Sequence, residues 1–255
     1  MFELPTLDLK NAVSPEEWEA RVNLAACYRL VENLGWGDLI YTHISAKVPG
    51  TEHYLVNAFG LSFDEVTASN LVKVDLEGNI LDETPFDINP AGFTIHSAVH
   101  EARPDAHCVI HLHTNETIAV STLKEGLLPL SQYSCFALAS LGHHSYEGLA
   151  VNLEEKKRLQ ADMSTNNFLL LPNHGALTVG PTVGDAFMHM YDLQRACEVQ
   201  LMIQSTGADA IPIEPEIVAG IKKQANVVHS GSTGGQKSWP AMLRKAYRLD
   251  PGFAL

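Results

Sequence analysis

Residues 105–114 constrain the fold of this chain most, because their pattern is typical of a β-strand that carries two closely spaced histidines. Successive side chains of a strand point to opposite faces of a sheet. One face would then carry alternate residues from Ala106 to Leu112, and the other would carry His111 and His113. Imidazole nitrogens bind Zn²⁺ and several other divalent metals. The segment therefore predicts a metal centre, and the alternative is two histidines on the solvated face of an edge strand.

The order of the predicted elements favours a sheet covered by helices. Strand patterns dominate the middle of the chain, without the strict β–α alternation of a doubly wound parallel fold. The predicted strands lie at residues 39–48, 53–57, 72–76, 79–82, 105–114, 130–141, 168–171 and 176–179. The predicted helices lie at residues 14–35, 89–102, 117–123, 153–165, 182–205 and 239–248, and residues 206–215 and 229–236 are predicted loops.

Charge and composition argue against several classes of function. The chain has 255 residues, of which 45% are apolar, and this suits a globular domain with a buried core. Its formal net charge of −13 repels nucleic acids and anionic membrane surfaces. No apolar run approaches the ~18 residues of a spanning helix, and the N-terminus lacks the pattern of a secretory signal. The four cysteines lie far apart, which predicts reduced thiols in a cytoplasmic protein and excludes a Cys-rich zinc finger.

A zinc site needs at least a third protein ligand, and His174 is the best candidate. It lies in a predicted turn directly after an apolar strand, and Gly175 permits a backbone conformation that other residues avoid. The alternative for His174 is a turn residue whose hydrogen bonds go to the backbone. Five further histidines are interpreted as structural or supporting groups rather than ligands: His96, His100, His107, His143 and His144.

The motifs around these histidines are similar to those of a known family. His111-Leu112-His113, with His174 61 residues after His113, resembles the metal signature of the class II aldolase/adducin family. Similarity to the adducin-like branch extends to residues 42–45, 60–69, 89–96 and 175–180. The resemblance implies a single domain over residues 1–255, with an irregular arm at 1–13 and a tail at 229–255. Its expected fold is a three-layer α/β/α sandwich with a mainly antiparallel central sheet.

The same resemblance implies a homotetramer with active sites between subunits. In the family's sugar-phosphate aldolases three histidines bind Zn²⁺, which polarises the substrate carbonyl and steadies an enediolate. We therefore expect His111, His113 and His174 to bind a divalent metal. Zn²⁺ is the first expectation, although imidazole ligands also suit Mn²⁺, Fe²⁺ and Co²⁺.

The chain departs from those aldolases at three places. Gly92 stands where they carry the Glu that moves the substrate proton. Pro90 and Ala91 stand at their paired serines, and Thr42-His43 stands at their Gly-Asn phosphate loop. The departures argue against a phosphorylated-sugar substrate. Glu101, further along the same predicted helix as Gly92, is a poor substitute for the missing base.

Two other residues are candidates for proton transfer. Tyr133 follows Pro129 at the spacing where the family's aldolases place a tyrosine that protonates the leaving group, and the alternative is a core tyrosine. His43 lies on a predicted strand near the former phosphate loop, and a histidine close to a metal can act as a general base. The alternative for His43 is a loop or interface histidine.

Three functions remain open from the sequence. The first is a metal-dependent lyase that cleaves a C–C bond of a small oxo or hydroxy acid, or decarboxylates it, through a metal-stabilised enolate. The second is a binding or structural module like the adducin head domain, although this sequence has no basic tail of the kind that adducin uses to join its partners. The third is a non-haem iron oxygenase. We expect a small-molecule substrate, and neither nucleic acid nor membrane as a partner.

Overall fold

The computed structural model describes residues 9–150, 152–229 and 234–255. Within these residues, seven strands form one sheet. The strands in chain order are His43–Lys47 (β1), Tyr54–Val56 (β2), Val72–Val74 (β3), Cys108–Leu112 (β4), Leu141–His143 (β5), Phe168–Leu171 (β6) and Gly175–Gly180 (β7). Their order across the sheet is β3-β2-β1-β4-β7-β6-β5. Only the pair β5–β6 is parallel, so the predicted mainly antiparallel sheet is confirmed.

Helices cover both faces of the sheet. They are Pro15–Asn33 (α1), Pro90–Ala102 (α2), Asn115–Ser121 (α3), Gln132–Leu138 (α4), Glu155–Met163 (α5), Val183–Ser205 (α6), Pro215–Val228 (α7) and Gly235–Leu249 (α8). One apolar core joins a face of the sheet to Leu24 of α1 and Phe187 of α6. A second core joins the opposite face to Val99 of α2 and Leu159 of α5. The predicted three-layer α/β/α sandwich is therefore confirmed.

The histidine strand, β4, lies at the centre of the sheet between β1 and β7. Cys108, Ile110 and Leu112 face the first core, whereas Val109 faces the second, as the alternation of a strand requires. His111 therefore lies on the side of the sheet that α2 covers. The strand ends at Leu112, earlier than predicted, so His113 belongs to the segment that leaves the sheet.

The prediction of a strand at residues 130–141 is wrong. Most of this segment forms α4, and only its last residue, Leu141, enters β5. Ser131 caps the helix, because its side chain accepts a hydrogen bond from the backbone N–H of Ser134, and the Ser134 side chain reciprocates. Apolar content alone does not separate a buried helix from a strand. The two serines three residues apart are the local signal that decides for a helix here.

Several other predictions differ from the structure. Helix α7 is not among the predicted elements, and α8 begins at Gly235, inside the predicted loop 229–236. Residues 230–233 of that loop, and residues 1–8 of the predicted arm, lie outside the described residues. The predicted hairpin at 72–82 consists of β3 and one bridge from Val74 to Ile80. The single-domain assignment stays a prediction.

Two expectations from composition concern these described residues. All four cysteines are buried and unpaired: Cys27, Cys108, Cys135 and Cys197. Among the described helices, none combines the length and the apolar character that a bilayer crossing requires.

Candidate metal centre

Three imidazoles converge at the end of β4. We call His111, His113 and His174 the histidine triad. Their candidate ligand atoms all lie within 4.8 Å of one another, and the ring centroids are 4.7–4.8 Å apart. The predicted convergence of His111 and His113 with a histidine from a distant turn is confirmed, although His113 lies just past the end of β4. Their role as metal ligands stays a prediction.

The turn between β6 and β7 places His174. Asn173 has a φ of +63°, a left-handed conformation that Asn tolerates better than most residues. The backbone N–H of His174 donates to the carbonyl of Leu171 at 2.9 Å and closes the turn. A Cβ atom on Gly175 would lie 2.3 Å from the carbonyl oxygen of Leu112. Glycine therefore lets the turn approach the end of β4 closely enough for His174 to join the other two rings.

Hydrogen bonds at Nδ1 fix which nitrogens of His111 and His113 face the centre. The Nδ1 atom of His111 lies 3.0 Å from the carbonyl oxygen of Ala176, and that of His113 lies 3.0 Å from a carboxylate oxygen of Asp38. Both oxygens can only accept, so each Nδ1 carries the proton. In the neutral rings both Nε2 atoms then present lone pairs, and these two atoms are 3.0 Å apart.

Two facing lone pairs repel unless a cation lies between them. A metal ion or an added proton would satisfy this arrangement. The pattern of Nε2 toward the centre and Nδ1–H toward a carbonyl or carboxylate is the one that metal-ligating histidines generally adopt. The donor set of the histidine triad therefore fits a divalent metal.

Burial keeps two rings of the triad, His111 and His174, in the form that binds metal. Desolvation, followed by the nearby His113, lowers the pKa of His174 to about 4. The same causes hold the pKa of His111 well below its usual value, with a further contribution from His174. Neutral imidazole is the ligating form, so the triad at pH 7 needs no deprotonation of these two rings before a metal binds.

His43 occupies the space that a side chain at position 92 would enter. It lies on β1 directly opposite His111 of β4, and the two ring centroids are 5.0 Å apart. A Cβ atom on Gly92 would lie 2.6 Å from Cδ2 of His43 and 2.9 Å from its Nε2. The imidazole of His43 thus packs against α2 at Gly92, where the helix has no side chain. The structure brings this predicted residue beside the triad.

Behind His43, a line of buried polar side chains runs away from the triad. We call His43, His96, Ser45 and His100 the histidine chain. Nδ1 of His43 lies 2.8 Å from Nε2 of His96, whose Nδ1 lies 2.5 Å from Oγ of Ser45. That hydroxyl lies 2.7 Å from Nε2 of His100. Burial lowers the pKa of His43 and of His100 to about 3, and holds that of His96 well below its usual value, so the three rings are neutral at pH 7.

Tyr133 packs against another tyrosine rather than against a triad ring. It belongs to α4, and its ring packs against that of Tyr191 at 6.3 Å. Among the described residues it makes no hydrogen bond or ring contact with the three imidazoles. Its role in proton transfer stays a prediction. Glu101, set aside as a base from the sequence, forms an ion pair with Lys156.

Two residues beside the triad have no signal in the sequence. Asp38, which holds His113, lies in an irregular segment between α1 and β1. The ring of Tyr146 lies 6.0 Å from that of His174 and comes from the loop after β5. Neither position belongs to a periodic pattern or a recognisable motif, so only the three-dimensional fold identifies them.

Comparison with known proteins gives the family. Residues 22–201 match the profile of the Class II Aldolase and Adducin N-terminal domain. This chain belongs to the class II aldolase and adducin family. A candidate class 2 aldolase from Pseudomonas aeruginosa is 58% identical over 248 residues, which cover 96% of each chain. Class II aldolases are generally dependent on a divalent metal.

Both branches of the class II aldolase and adducin family are represented among the relatives. Mouse alpha-adducin is 46% identical over 185 residues, covering 71% of this chain and 25% of the adducin chain. The crystal structure of an aldolase II superfamily protein from Pseudomonas syringae superposes with a TM-score of 0.90 at 45% identity, covering 97% of this chain and 99% of that one. The family and the fold are thereby established.

Proposed function

We propose that this chain is a divalent-metal-dependent lyase. Its substrate would be a small oxo or hydroxy acid without a phosphate group, and the reaction would be C–C bond cleavage or decarboxylation. The observation that carries the proposal is the pair of Nε2 lone pairs 3.0 Å apart on His111 and His113, each with its Nδ1–H held by an oxygen. A cation is the simplest group that satisfies this arrangement.

The triad would hold the metal, with Zn²⁺ as the first expectation. Three protein ligands leave a coordination position open for substrate or water, as in catalytic zinc sites. When bound, a divalent cation polarises a substrate carbonyl and stabilises negative charge on its oxygen. His111 and His113 would be fixed by their Nδ1 hydrogen bonds, and His174 by the turn that begins at Asn173.

His43 would move the proton in place of the carboxylate that Gly92 cannot supply. In a C–C cleavage, Nε2 of His43 accepts the hydroxyl proton of the substrate while the C–C bond breaks and its electron pair moves toward the carbonyl. The same proton then returns to the carbon that has lost its bond. No proton is gained or lost overall. This assignment is supported by the place of His43 against Gly92 and by the 5.0 Å separation of its ring from that of His111.

Tyr133 would protonate the leaving group at the triad of a second copy of the chain. Within one chain it contacts Tyr191 instead. A homotetramer with sites between subunits, which the family resemblance implies, would provide such a copy. We keep the homotetramer and a cytoplasmic location as parts of the proposal.

An adducin-like binding module is the second candidate function, and the relationship to alpha-adducin favours it. A binding module has no need of three imidazoles whose nitrogens converge, two of them oriented by hydrogen bonds. That arrangement gives the lyase precedence. A non-haem iron oxygenase would share the triad, and the identity of the metal together with oxygen uptake would separate it from the lyase.

Elemental analysis of the protein purified without chelators tests the proposal. We expect about one divalent ion per chain, since the triad forms one site. Turnover of a panel of hydroxy and oxo acids should then stop on chelation and return when Zn²⁺ is added back. Occupancy below about a tenth of an ion per chain after incubation with Zn²⁺, Mn²⁺, Fe²⁺ and Co²⁺ in turn would leave the adducin-like function as the better one.

A further inference from the structure

The histidine chain ends at an atom that can only accept a hydrogen bond. Nδ1 of His100 lies 3.1 Å from the backbone carbonyl oxygen of Ala106. Each of the four side chains in the histidine chain is at most 3% exposed, so solvent does not compete for these contacts. The ring of Tyr54 covers His100 at a centroid distance of 4.8 Å. The terminal carbonyl therefore decides where the proton of His100 lies.

From this end, the direction of every hydrogen bond follows. A carbonyl accepts, so Nδ1 of His100 donates, and in a neutral ring its Nε2 must accept. The hydroxyl of Ser45 then donates to that Nε2, and its oxygen accepts from Nδ1 of His96. Nε2 of His96 is left as an acceptor. Nδ1 of His43 therefore carries the proton, and its Nε2 carries a lone pair.

We infer that His96, Ser45 and His100 are positioning residues that hold His43 in the tautomer with its proton on Nδ1. The relevance of this tautomer to catalysis rests on the proposed function. The tautomer itself follows from the four side chains and the Ala106 carbonyl, and it does not depend on any activity.

The opposite direction would reverse the chemistry of His43. If Nε2 carried the proton, His43 would present an N–H beside Gly92 and could not take a proton there. That direction would also leave two acceptors facing each other at the far end of the chain, the carbonyl of Ala106 and a lone pair on His100, 3.1 Å apart and buried. A buried acceptor without a donor is destabilising, because it has lost its hydrogen bonds to water and gains none from the protein. The backbone carbonyl of Ala106 thus determines which nitrogen of His43 carries the proton, in a ring that lies beside the triad.

Nitrogen NMR of the whole protein, labelled with ¹⁵N-histidine and loaded with diamagnetic Zn²⁺, tests the inference. Two-bond ¹H–¹⁵N correlations report which ring nitrogen carries the proton, and single His→Gln substitutions assign the signals. We expect His43, His96 and His100 all to be protonated on Nδ1, the less common tautomer of free histidine. A proton on Nε2 of His43 would overturn the inference, whatever the protein catalyses. The expected tautomers in a protein that turns over no substrate would instead count against the proposed function alone.

Ser45→Ala gives a second test, with Ser97→Ala as its matched control. Both serines are fully buried, but Ser97 donates to Thr94 and takes no part in the histidine chain. Ser45→Ala removes the link between His96 and His100, so the Nδ1–H signal of His43 should weaken and kcat should fall about 10- to 100-fold, a share of what general base catalysis contributes.

Metal content and KM should stay at their wild-type values in both serine variants. Ser45→Thr, which restores the hydroxyl, should recover the His43 signal and part of kcat. A Ser45→Ala protein with an unchanged His43 tautomer, or a Ser97→Ala protein with the same loss, would contradict a positioning role for Ser45.

Discussion

The histidine triad and the histidine chain meet where His43 and His111 lie opposite each other on neighbouring strands, yet they use the same side chain in opposite ways. In the chain, hydrogen-bond donors and acceptors alternate, from the lone pair on His43 to the carbonyl of Ala106. In the triad, His111 and His113 each donate from Nδ1 to an outer oxygen, and their Nε2 lone pairs face each other. Each link of the chain is satisfied within the protein, whereas the facing pair of the triad needs a metal ion or an added proton.

The difference shows that ring spacing alone does not identify a metal site. His43 and His96 have ring centroids 4.7 Å apart, the same separation as His111 and His113. The outer partners of the rings separate the two cases. An acceptor outside each ring makes a cation-binding pair, and an acceptor at only one end of a line makes a fixed run of hydrogen bonds. Substitutions that act on one set and not on the other test this distinction.

The largest effect should follow removal of a triad imidazole. His174→Ala leaves two ligands, so the affinity for Zn²⁺ should fall by more than about 100-fold, beyond the range found when only an outer partner of a ligand is lost. The control is His107→Ala, which removes an exposed histidine just before β4. This variant should bind Zn²⁺ as the wild type does. Isothermal titration calorimetry, with Zn²⁺ added to protein freed of metal by a chelator, measures the affinity of both variants. Equal affinities would exclude His174 as a ligand.

A glycine pair tests the contact between His43 and α2. Within a helix, Gly→Ala stabilises by about 1 kcal/mol where the new Cβ meets no obstacle. A Cβ on the partly buried Gly220 of α7 would have only Nε2 of Gln224 within 4 Å, at 3.7 Å. At Gly92 the Cβ would lie 2.6 Å from His43, and overpacking of a buried site costs about 1–3 kcal/mol. Gly92→Ala should therefore lower the free energy of unfolding, while Gly220→Ala raises it.

Urea unfolding measures the free energy of unfolding of the two glycine variants and of the wild type. Their kcat values show whether the contact also affects catalysis. Gly92→Ala should also lower kcat, because His43 must move, while Zn²⁺ content stays near that of the wild type. If Gly92→Ala stabilised the protein as much as Gly220→Ala, then the ring of His43 would not fill the space at position 92.

The triad was predictable from sequence because its signals are local. The two-residue period of a strand puts His111 and His113 on one side, and a glycine after a short apolar strand marks the turn that carries His174. The sandwich followed from the family resemblance and from the order of elements. The strand predicted at 130–141 was wrong because apolar content outweighed the Ser131 cap of α4.

The histidine chain was not predictable, because it depends on the register between strands. His96 and His100, four residues apart, share one face of a helix, but no local sequence pattern indicates their hydrogen-bond partners. Their contact with Ser45 requires β1 to pair with β4 and α2 to cover both strands. The same holds for His43 and Gly92, which lie 49 positions apart in the chain and touch only in the fold.

The smallest effect should come from the outer partner of a triad ring. Asp38→Asn replaces the carboxylate that accepts from His113 with an amide oxygen that can still accept, so the affinity for Zn²⁺ should fall by about 10-fold, the lower end of the range for such partners. Asp209→Asn, an exposed carboxylate with the same loss of charge, controls for the net charge of the protein and should leave the affinity unchanged. Because Asp38 is half-exposed, the free energy of unfolding of the metal-free protein should change little. If the affinity fell equally in both variants, the overall charge would be the cause. Asp38 would then have no orienting role at His113, and the contrast between the triad and the chain would fail at that residue.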